Sequence, residues 1–259
     1  MNFTLQFPTA PHQQVAEMVD AFFRPIPCVD TILVVNSVAR GQATPESDLD
    51  MNVLVGPETP DAEVDSLEHG WKAHAAENPV LQAYLRTHAF AHLHLDVVKP
   101  VFTPETWDDG GGPDGFELNI GNALAYSAPL GEAGPAFRSL QARWLPFYGE
   151  DLRRQRLDMA RSACAYDLEH IPFFVRRGLY FQSFDRLYKA YQEFLQALFI
   201  ARRVYPLAYN KWIRMQVEDW LGLPELYRAL PPLLSVGSIE SAELSEKGKT
   251  LRALLDTWT

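Results

Sequence analysis

The stretch that decides the fold runs from Thr31 to Val55 and reads TILVVNSVARGQATPESDLDMNVLV. Short apolar runs at its two ends, Thr31–Val35 and Met51–Val55, are rich in β-branched residues and predict two strands. The polar connection between them contains glycine and proline, which indicates a turn. Because side chains alternate along a strand, Asp48 and Asp50 at the start of the second strand point to the same face.

Two neighbouring carboxylates of this kind favour a cation between them. Like charges side by side repel each other, and a divalent ion removes that cost. Oxygen ligands at a wet strand end suit a hard ion such as Mg²⁺. The alternative is a solvent-exposed strand end that carries two acids and no ion.

A longer pattern surrounds the two acids. Residues 36–41 read NSVARG and residues 47–50 read SDLD. Together they resemble the G-S-x-x-R-G … S-D-h-D signature of the polymerase-β-type nucleotidyltransferase superfamily. Asn36 stands where that signature has its first glycine, and Asn is the residue that best replaces glycine at positive φ.

The resemblance implies a third acid on a neighbouring strand. Phe90–Val98 alternates as a half-buried strand, with His92, His94 and Asp96 on one face. By position and pattern Asp96 is the expected third acid, as a metal ligand, a general base or both. Glu117 is a reserve candidate for the same role.

The resemblance also implies which residues bind the triphosphate. In the first half these are Ser37, Ser47 and Arg40. In the helical second half the chain resembles aminoglycoside and lincosamide nucleotidyltransferases, and Lys189, Lys211 and Tyr209 are the expected contacts. The residues expected at the site are catalytic or metal-binding Asp48, Asp50 and Asp96, and nucleotide-binding Ser37, Ser47, Arg40, Lys189, Lys211 and Tyr209.

Several of these features have a plainer interpretation. The spacing His92-x-His94 occurs in zinc sites, but a zinc site needs further ligands, so exposed strand histidines are the preferred interpretation. Gly110–Gly112 could cradle phosphate, but acids surround it, so a mobile surface loop is the preferred interpretation. Lys189 lies among apolar residues and could extend from a packed face without binding phosphate.

The periodicity of the chain changes along its length and predicts an α+β protein with two domains. Strands and helices mix up to residue 132, including a fourth strand at Phe116–Tyr126. Helical spacing dominates from residue 133 onward. We therefore expect a small mixed-sheet nucleotidyltransferase domain over residues 1–132 and an all-α helical-bundle domain over residues 133–259.

Composition narrows the class of protein. The 259 residues carry a formal charge of -10, and the acids are concentrated in the first half, with 5 Lys and Arg against 19 Asp and Glu up to Pro135. That balance argues against nucleic-acid binding and suits a cationic small substrate. No apolar run approaches a membrane span, and the N-terminus lacks the pattern of a secretory leader. With Cys28 and Cys164 expected as reduced thiols, we expect a cytoplasmic protein.

The reaction that the resemblance implies is Mg²⁺-dependent transfer of AMP from ATP to a hydroxyl of a small molecule. An aminoglycoside-type antibiotic is the suggested acceptor, and Asp167, Glu169 and Asp185 are candidate partners for its cationic groups. Two alternatives remain open. One is transfer of AMP to a protein, as in antitoxin-type relatives, and the other is a catalytically silent nucleotide-binding protein on the same fold.

Overall fold

The computed structural model describes residues 4–99, 101–105 and 110–259. It confirms the predicted α+β class, with a four-stranded mixed sheet and many helices. The strands are β1 (Val29–Val34), β2 (Leu49–Val55), β3 (Leu93–Val98) and β4 (Ala128–Pro129). The α-helices are α1 (Ala10–Phe23), α2 (Asn36–Ala39), α3 (Asp61–Glu77), α4 (Pro79–Tyr84), α5 (Phe116–Ile120), α6 (Pro135–Trp144), α7 (Glu150–Arg176), α8 (Tyr180–Arg202), α9 (Pro224–Leu234) and α10 (Glu243–Trp258).

The chain forms two compact units, each assembled from two segments. The first contains Met1–Phe102 and Ile120–Leu145, and the second contains Thr103–Asn119 and Pro146–Thr259. Residues 133–145 therefore belong with the sheet, and residues 103–119 belong with the helices, although the sequence pattern suggested a single boundary.

The sheet of the first unit has the strand order β3-β2-β1-β4. β1 pairs antiparallel with β2, as a short connection between consecutive strands favours. β2 pairs parallel with β3, and α3 and α4 form the connection that a parallel pair needs. The predicted break between these two helices is confirmed, because the side chain of Asn78 accepts a hydrogen bond from the Val80 amide and begins α4.

The core of the first unit lies between the sheet and the helices that cover one of its faces. The alternate residues Leu49, Met51 and Val53 of β2 are buried, and they pack with apolar residues of α1 such as Val15 and Val19. The intervening residues Asp50 and Asn52 therefore lie on the opposite face of the sheet, outside the apolar core.

Asp30 fixes α6 to this sheet from the neighbouring strand β1. Its carboxylate accepts hydrogen bonds of 2.8 Å from the Ala136 amide and 3.0 Å from the Phe137 amide. These amides lie in the first turn of α6, where backbone donors lack partners within the helix. Asp30 thus supplies the cap that Gly134, at the N-cap position, cannot supply.

The second unit is built around the antiparallel helices α7 and α8. Gly178, with φ of +71°, forms the turn between them. Pro172 lies inside α7, and the helix continues to Arg176. The C-terminal half of α8 is buried almost completely, because α7, α10 and the segment around Val217 surround it. Among the described residues, no helix combines the length and the hydropathy needed to span a bilayer.

The predicted fourth strand at Phe116–Tyr126 is wrong. This segment forms α5 followed by a π-helical turn over Gly121–Ala125, and β4 comes two residues later. Phe116, Ile120 and Leu124 are buried at intervals of four residues, which is a helical spacing.

Glu117 is consequently not on a strand, and its expected reserve role as a third acid is wrong as well. It is fully buried within the second unit, where the Arg156 guanidinium donates hydrogen bonds of 2.9 and 2.7 Å to its two oxygens. Arg156 also pairs with Asp114, and Gln196 and Tyr148 donate to the Glu117 carboxylate. Burial lowers the Arg156 pKa, but the bonds and charges of Glu117 and Asp114 outweigh it, so the net pKa is raised.

The glycine run was expected to be a mobile surface loop, but Gly110 is buried against α8. A Cβ atom on Gly110 would lie 1.9 Å from Nη1 of Arg186, so a larger residue would displace that side chain. Gly112 approaches Lys189 in the same way, with a distance of 3.5 Å from its Cβ position to Cγ of the lysine. Gly110 and Gly112 therefore lie directly against side chains of α8.

Candidate metal centre

The parallel pair β2 and β3 brings the polar faces of two strands together. Asp50 lies opposite His94 in the register, and Asn52 lies opposite Asp96. Residues that pair across neighbouring strands point to the same face of a sheet. Asp50, His94 and Asp96 therefore share the face opposite the apolar core, as strand alternation predicted.

Three of these side chains form a cluster with the composition of a metal site. One ligand atom from each of Asp48, Asp50 and His94 lies within 4.8 Å of the other two. The His94 Nε2 atom is 3.5 Å from an Asp48 carboxylate oxygen, and these side chains are 60% and 43% exposed. The cluster is open to solvent, so an ion and a substrate can both reach it.

Asp96 is not a member of this cluster. It is exposed and lies two register pairs further along the strands, beside Asn52. The sequence predicted Asp48, Asp50 and Asp96 as the ligand set, and the structure brings His94 into the place expected for Asp96. The signal for His94 was its alternation with Asp96, but only the register shows which of the two faces Asp50.

The turn that precedes the cluster has the backbone shape that the sequence pattern predicted. Asn36 has φ of +56°, the left-handed conformation for which glycine is the usual residue. The Val35 amide donates a 3.0 Å hydrogen bond to the carbonyl oxygen of Asp50, which ties the start of the turn to β2. Gly41 closes the turn with φ of +67°.

Ser37 and Ser47, the two predicted phosphate ligands of the first unit, have different surroundings. Ser37 is half-buried at the start of α2, and its carbonyl accepts a 2.9 Å hydrogen bond from the Gln42 amide. The Ser47 hydroxyl accepts a 3.0 Å hydrogen bond from the Thr44 amide, so it stabilises the turn before β2.

Arg40, the third predicted phosphate ligand, is 92% buried, since only 8% of its surface is exposed. Its Nε donates a 2.9 Å hydrogen bond to Gln42, while Nη1 has no hydrogen-bond partner in the part of the chain that the structure describes. Burial lowers the Arg40 pKa, and the nearby Tyr126 and Asp50 partly offset that effect.

Two buried side chains, His12 and Tyr84, hold the start of β2. No sequence motif pointed to either of them. His12 of α1 lies 2.9 Å through Nε2 from the Ser47 carbonyl oxygen, and 2.6 Å through Nδ1 from the Thr9 hydroxyl. A carbonyl can only accept, so the Nε2 atom of His12 carries a proton and donates to Ser47. This contact spans 35 residues of sequence, and no local pattern predicts it.

Tyr84 makes the second contact of this brace, at the end of α4. Its hydroxyl lies 3.3 Å from the Ser47 carbonyl oxygen and 3.4 Å from the His92 carbonyl oxygen, so it joins the starts of β2 and β3. Burial raises the pKa of Tyr84 to about 12, and the charges of Asp48 and Asp50 add to that increase. The phenol therefore remains a hydrogen-bond donor at neutral pH.

The predicted nucleotide contacts of the second unit are dispersed over its surface and core. Lys189 forms an ion pair of 2.9 Å with Asp185, one turn earlier on α8. Lys211 is exposed, and Tyr209 is buried with a hydroxyl that lacks a hydrogen-bond partner among the residues described. Their roles in nucleotide binding stay predictions.

The acids suggested as partners of a cationic acceptor also differ in exposure. Asp167 is fully buried and paired with Arg186, and burial raises its pKa while Arg186 opposes the increase. Glu169 is 71% exposed near Arg252. Of the three, Asp167 is closed to a ligand unless Arg186 moves away.

The donor atoms of the Asp48–Asp50–His94 cluster fit a divalent cation. Two carboxylates and an imidazole can supply three protein ligands, which leaves coordination positions for water or substrate. Small side-chain rotations suffice to bring ligand atoms less than 4.8 Å apart into one coordination sphere. A search against models of protein families and a search of the curated proteins both give no match for this chain.

Proposed function

We propose that this protein is a divalent-cation-dependent nucleotidyltransferase that moves AMP from ATP to a hydroxyl group of a small molecule. The observation that carries the proposal is the cluster of Asp48, Asp50 and His94 directly beyond a turn with Asn36 at positive φ. Both parts coincide with the two halves of the sequence signature at 36–41 and 47–50.

Asp48 and Asp50 are the carboxylates that would hold the cation, and a held cation would orient the triphosphate. A bound divalent ion, Mg²⁺ in the enzymes that the chain resembles, neutralises charge on the α-phosphate and on the departing pyrophosphate. The two carboxylates lie at the start of a paired strand, so their backbone is already in place before substrate arrives. Positioning and charge stabilisation of this kind account for most of the rate of phosphoryl-type transfers.

Asp96 accepts the proton of the acceptor hydroxyl. It lies on the same face as the cluster, two register pairs beyond His94, and its side chain is exposed. As the acceptor oxygen bonds to the α-phosphorus, the bond from that phosphorus to the bridging oxygen of pyrophosphate breaks. The hydroxyl proton passes to the Asp96 carboxylate, which is general base catalysis.

The turn between β1 and β2 supplies groups that suit phosphate. Ser37 contributes its hydroxyl at the start of α2, next to the left-handed Asn36. Arg40 contributes a buried positive charge, and its Nη1 atom has no hydrogen-bond partner among the residues that the structure describes. A guanidinium withdrawn from water interacts strongly with an anion, because solvent screens it less.

The charge of the first unit favours a cationic acceptor. Within the first unit acidic residues outnumber basic ones by 14 to 7, so the field around the cluster attracts cations in general. An aminoglycoside carries several amino groups together with the hydroxyls that the reaction needs. This class of acceptor is therefore the first to test.

The experiment is incubation with ATP radiolabelled at the α-phosphate, a divalent cation and a panel of aminoglycosides and lincosamides. Label on a small molecule supports the proposal, and D50N should lower that transfer by about a hundredfold or more, since it removes a carboxylate from the cation site. D65N, a change at an exposed acid of α3, is the matched control and should behave as the parent protein. Label found only on protein, or no label at all, would overturn the proposal.

A further inference from the structure

The third member of the metal cluster is an imidazole, and this has a consequence for the ion. His94 lies directly opposite Asp50 across the β2–β3 pair, and its Nε2 is 3.5 Å from the Asp48 carboxylate. Asp96, the one acid of β3, is displaced by two register pairs along the strands. The donor set at the cluster is therefore two oxygens and one nitrogen.

The backbone beneath the cluster is held independently of any ion. The Leu49 amide donates a 2.9 Å hydrogen bond to the His92 carbonyl, and Tyr84 lies within 3.4 Å of that same carbonyl. His12 and Tyr84 both contact the Ser47 carbonyl, directly before Asp48. The two strands that carry the donors are thus fixed relative to each other before a ligand binds.

Donor chemistry distinguishes between ions that have the same charge. Mg²⁺ prefers oxygen ligands throughout and keeps several waters. Imidazole nitrogen suits ions of the first transition series, and affinity at such sites rises from Mn²⁺ to Cu²⁺ and falls again at Zn²⁺. One nitrogen among three protein ligands therefore penalises Mg²⁺ relative to these ions.

We propose that His94 is the third protein ligand of the cluster and that the site consequently prefers a borderline divalent ion of the Mn²⁺-to-Zn²⁺ series over Mg²⁺. The inference rests on the proposed function only for the location of the cation. The competing interpretation is that His94 merely forms an ion pair with Asp48 and that Asp96 completes an all-oxygen site.

Mn²⁺ provides the test, because its electron spin reports both binding and nitrogen ligation. The full chain is freed of metal with a chelator and titrated with Mn²⁺ by electron paramagnetic resonance, with Mg²⁺ as competitor. Protein labelled with ¹⁵N-histidine is then compared with unlabelled protein by electron spin echo spectroscopy. We expect Mn²⁺ to bind at least about tenfold more tightly than Mg²⁺, with a nitrogen coupling that changes on labelling.

Three variants separate the ligand assignments. H94Q should weaken Mn²⁺ binding by about tenfold or more and remove the nitrogen coupling. H92Q, a change at an exposed histidine two residues earlier on the same face, is the matched control and should leave both unchanged. D96N should retain the coupling and an affinity within about twofold of the parent, because Asp96 lies outside the ligand set in this proposal.

The outcomes that overturn the inference are distinct from failure of the proposed reaction. The ligand assignment would be overturned by bound Mn²⁺ that shows no nitrogen coupling. It would also be overturned if D96N lost Mn²⁺ binding while H94Q kept it, or if the parent protein bound no Mn²⁺. Nucleotidyl transfer with Mg²⁺ in a protein without nitrogen coupling would keep the reaction and reject the ligand. Nitrogen-coupled Mn²⁺ in a protein that transfers no nucleotide would keep the ligand and reject the reaction.

Discussion

The imidazole of His12 donates a 2.9 Å hydrogen bond to the backbone carbonyl of Ser47, the residue directly before the first acid of the metal cluster. Only 1% of His12 is exposed. A single side chain of α1 thereby sets the backbone position of Asp48, although it touches no atom of the cluster itself.

Removing this contact should damage both stability and cation binding. H12A leaves a buried carbonyl with only the longer contact from Tyr84 and leaves space where the ring was. We expect a loss of about 2–3 kcal/mol in the free energy of unfolding, measured with urea. Mn²⁺ affinity should fall in the same variant, measured below the temperature at which it begins to unfold. Unchanged affinity in a folded H12A protein would show that Asp48 is positioned without this contact.

Tyr84 offers a smaller change in the same brace. Y84F removes the hydroxyl that lies 3.3 and 3.4 Å from the carbonyls of Ser47 and His92, and it creates almost no cavity. We expect a cost of about 1 kcal/mol in unfolding free energy. Y227F is the matched control on α9, since Tyr227 packs against the hydrophobic core of the second unit. Equal losses of Mn²⁺ affinity in the two variants would contradict a positioning role for Tyr84.

The left-handed residue of the turn makes a prediction about backbone strain. Asn36 has φ of +56°, and a residue with a Cβ atom and no local hydrogen-bonding group pays about 1–2 kcal/mol there. N36A should therefore destabilise the protein by about 1 kcal/mol, whereas N36G should match the parent or exceed its stability slightly. Thermal unfolding of the three proteins checks the order. An N36A protein as stable as N36G would mean that the turn has a different backbone shape.

The buried charges of the second unit predict a large loss when their cation is removed. R156M leaves Asp114 and Glu117, which are 9% and 0% exposed in their side chains, without the guanidinium that pairs them. We expect a loss of about 3–5 kcal/mol in unfolding free energy, followed by the helical circular dichroism signal in urea.

Arg154 is the control for this charge effect. It pairs with Asp151 at the start of α7, but their side chains are 69% and 88% exposed. R154M should therefore cost about 0.5 kcal/mol or less. Similar losses of unfolding free energy in R154M and R156M would contradict the expectation that the cost depends on burial of the ion pair.

Glu150 provides a prediction about pH. Hydrogen bonds from Arg203 and then from Arg153 lower its pKa to about 2, compared with an ordinary value of 4.5. A carboxylate whose pKa is lowered by folding stabilises the folded state above its unfolded pKa, and the contribution is lost as pH falls through the folded value. E150Q should thus be less stable than the parent at pH 7, and the difference should shrink between pH 4.5 and about 2.

Urea titrations of the parent and E150Q across that pH range measure the difference directly. R203Q and the double variant complete a cycle, because Arg203 contacts Glu150 at 2.8 Å. The cycle should show a coupling at pH 7 that disappears in acid. A coupling that stays constant with pH would mean that the ionised carboxylate is not the cause.

The fold was predictable where the local pattern is long and unambiguous. The apolar runs at 31–35 and 51–55 predicted β1 and β2, and the helical spacing from residue 133 onward predicted α6 to α10. The segment 116–126 was mistaken for a strand because its apolar residues also fit a short strand of mixed pattern. In the structure this segment is helical, and Glu117 forms a buried ion pair with Arg156. The two residues are 39 positions apart, so a local sequence pattern does not predict their contact.

The sequence predicted the kind of candidate site, a cation site at the start of β2, better than it predicted which residues form that site. Alternation placed Asp48 and Asp50 on one face, and His94 and Asp96 on one face of the next strand. Which residue of β3 stands beside Asp50 depends on the register of a parallel pair, and the register is set by packing of the whole unit. That packing brings His94, and not Asp96, beside Asp48 and Asp50. It also brings His12 and Tyr84 into contact with the Ser47 carbonyl.

The position of β3 at the edge of the sheet gives a way to follow occupancy of the cluster without any chemistry. An edge strand opens readily, because it is tied to a neighbour on one side only, and its amide protons exchange with solvent when it does. An ion bound jointly by Asp48, Asp50 and His94 would fasten this strand to β2. Slower hydrogen exchange across Leu93–Val98 when the ion is added would then record the ion in place.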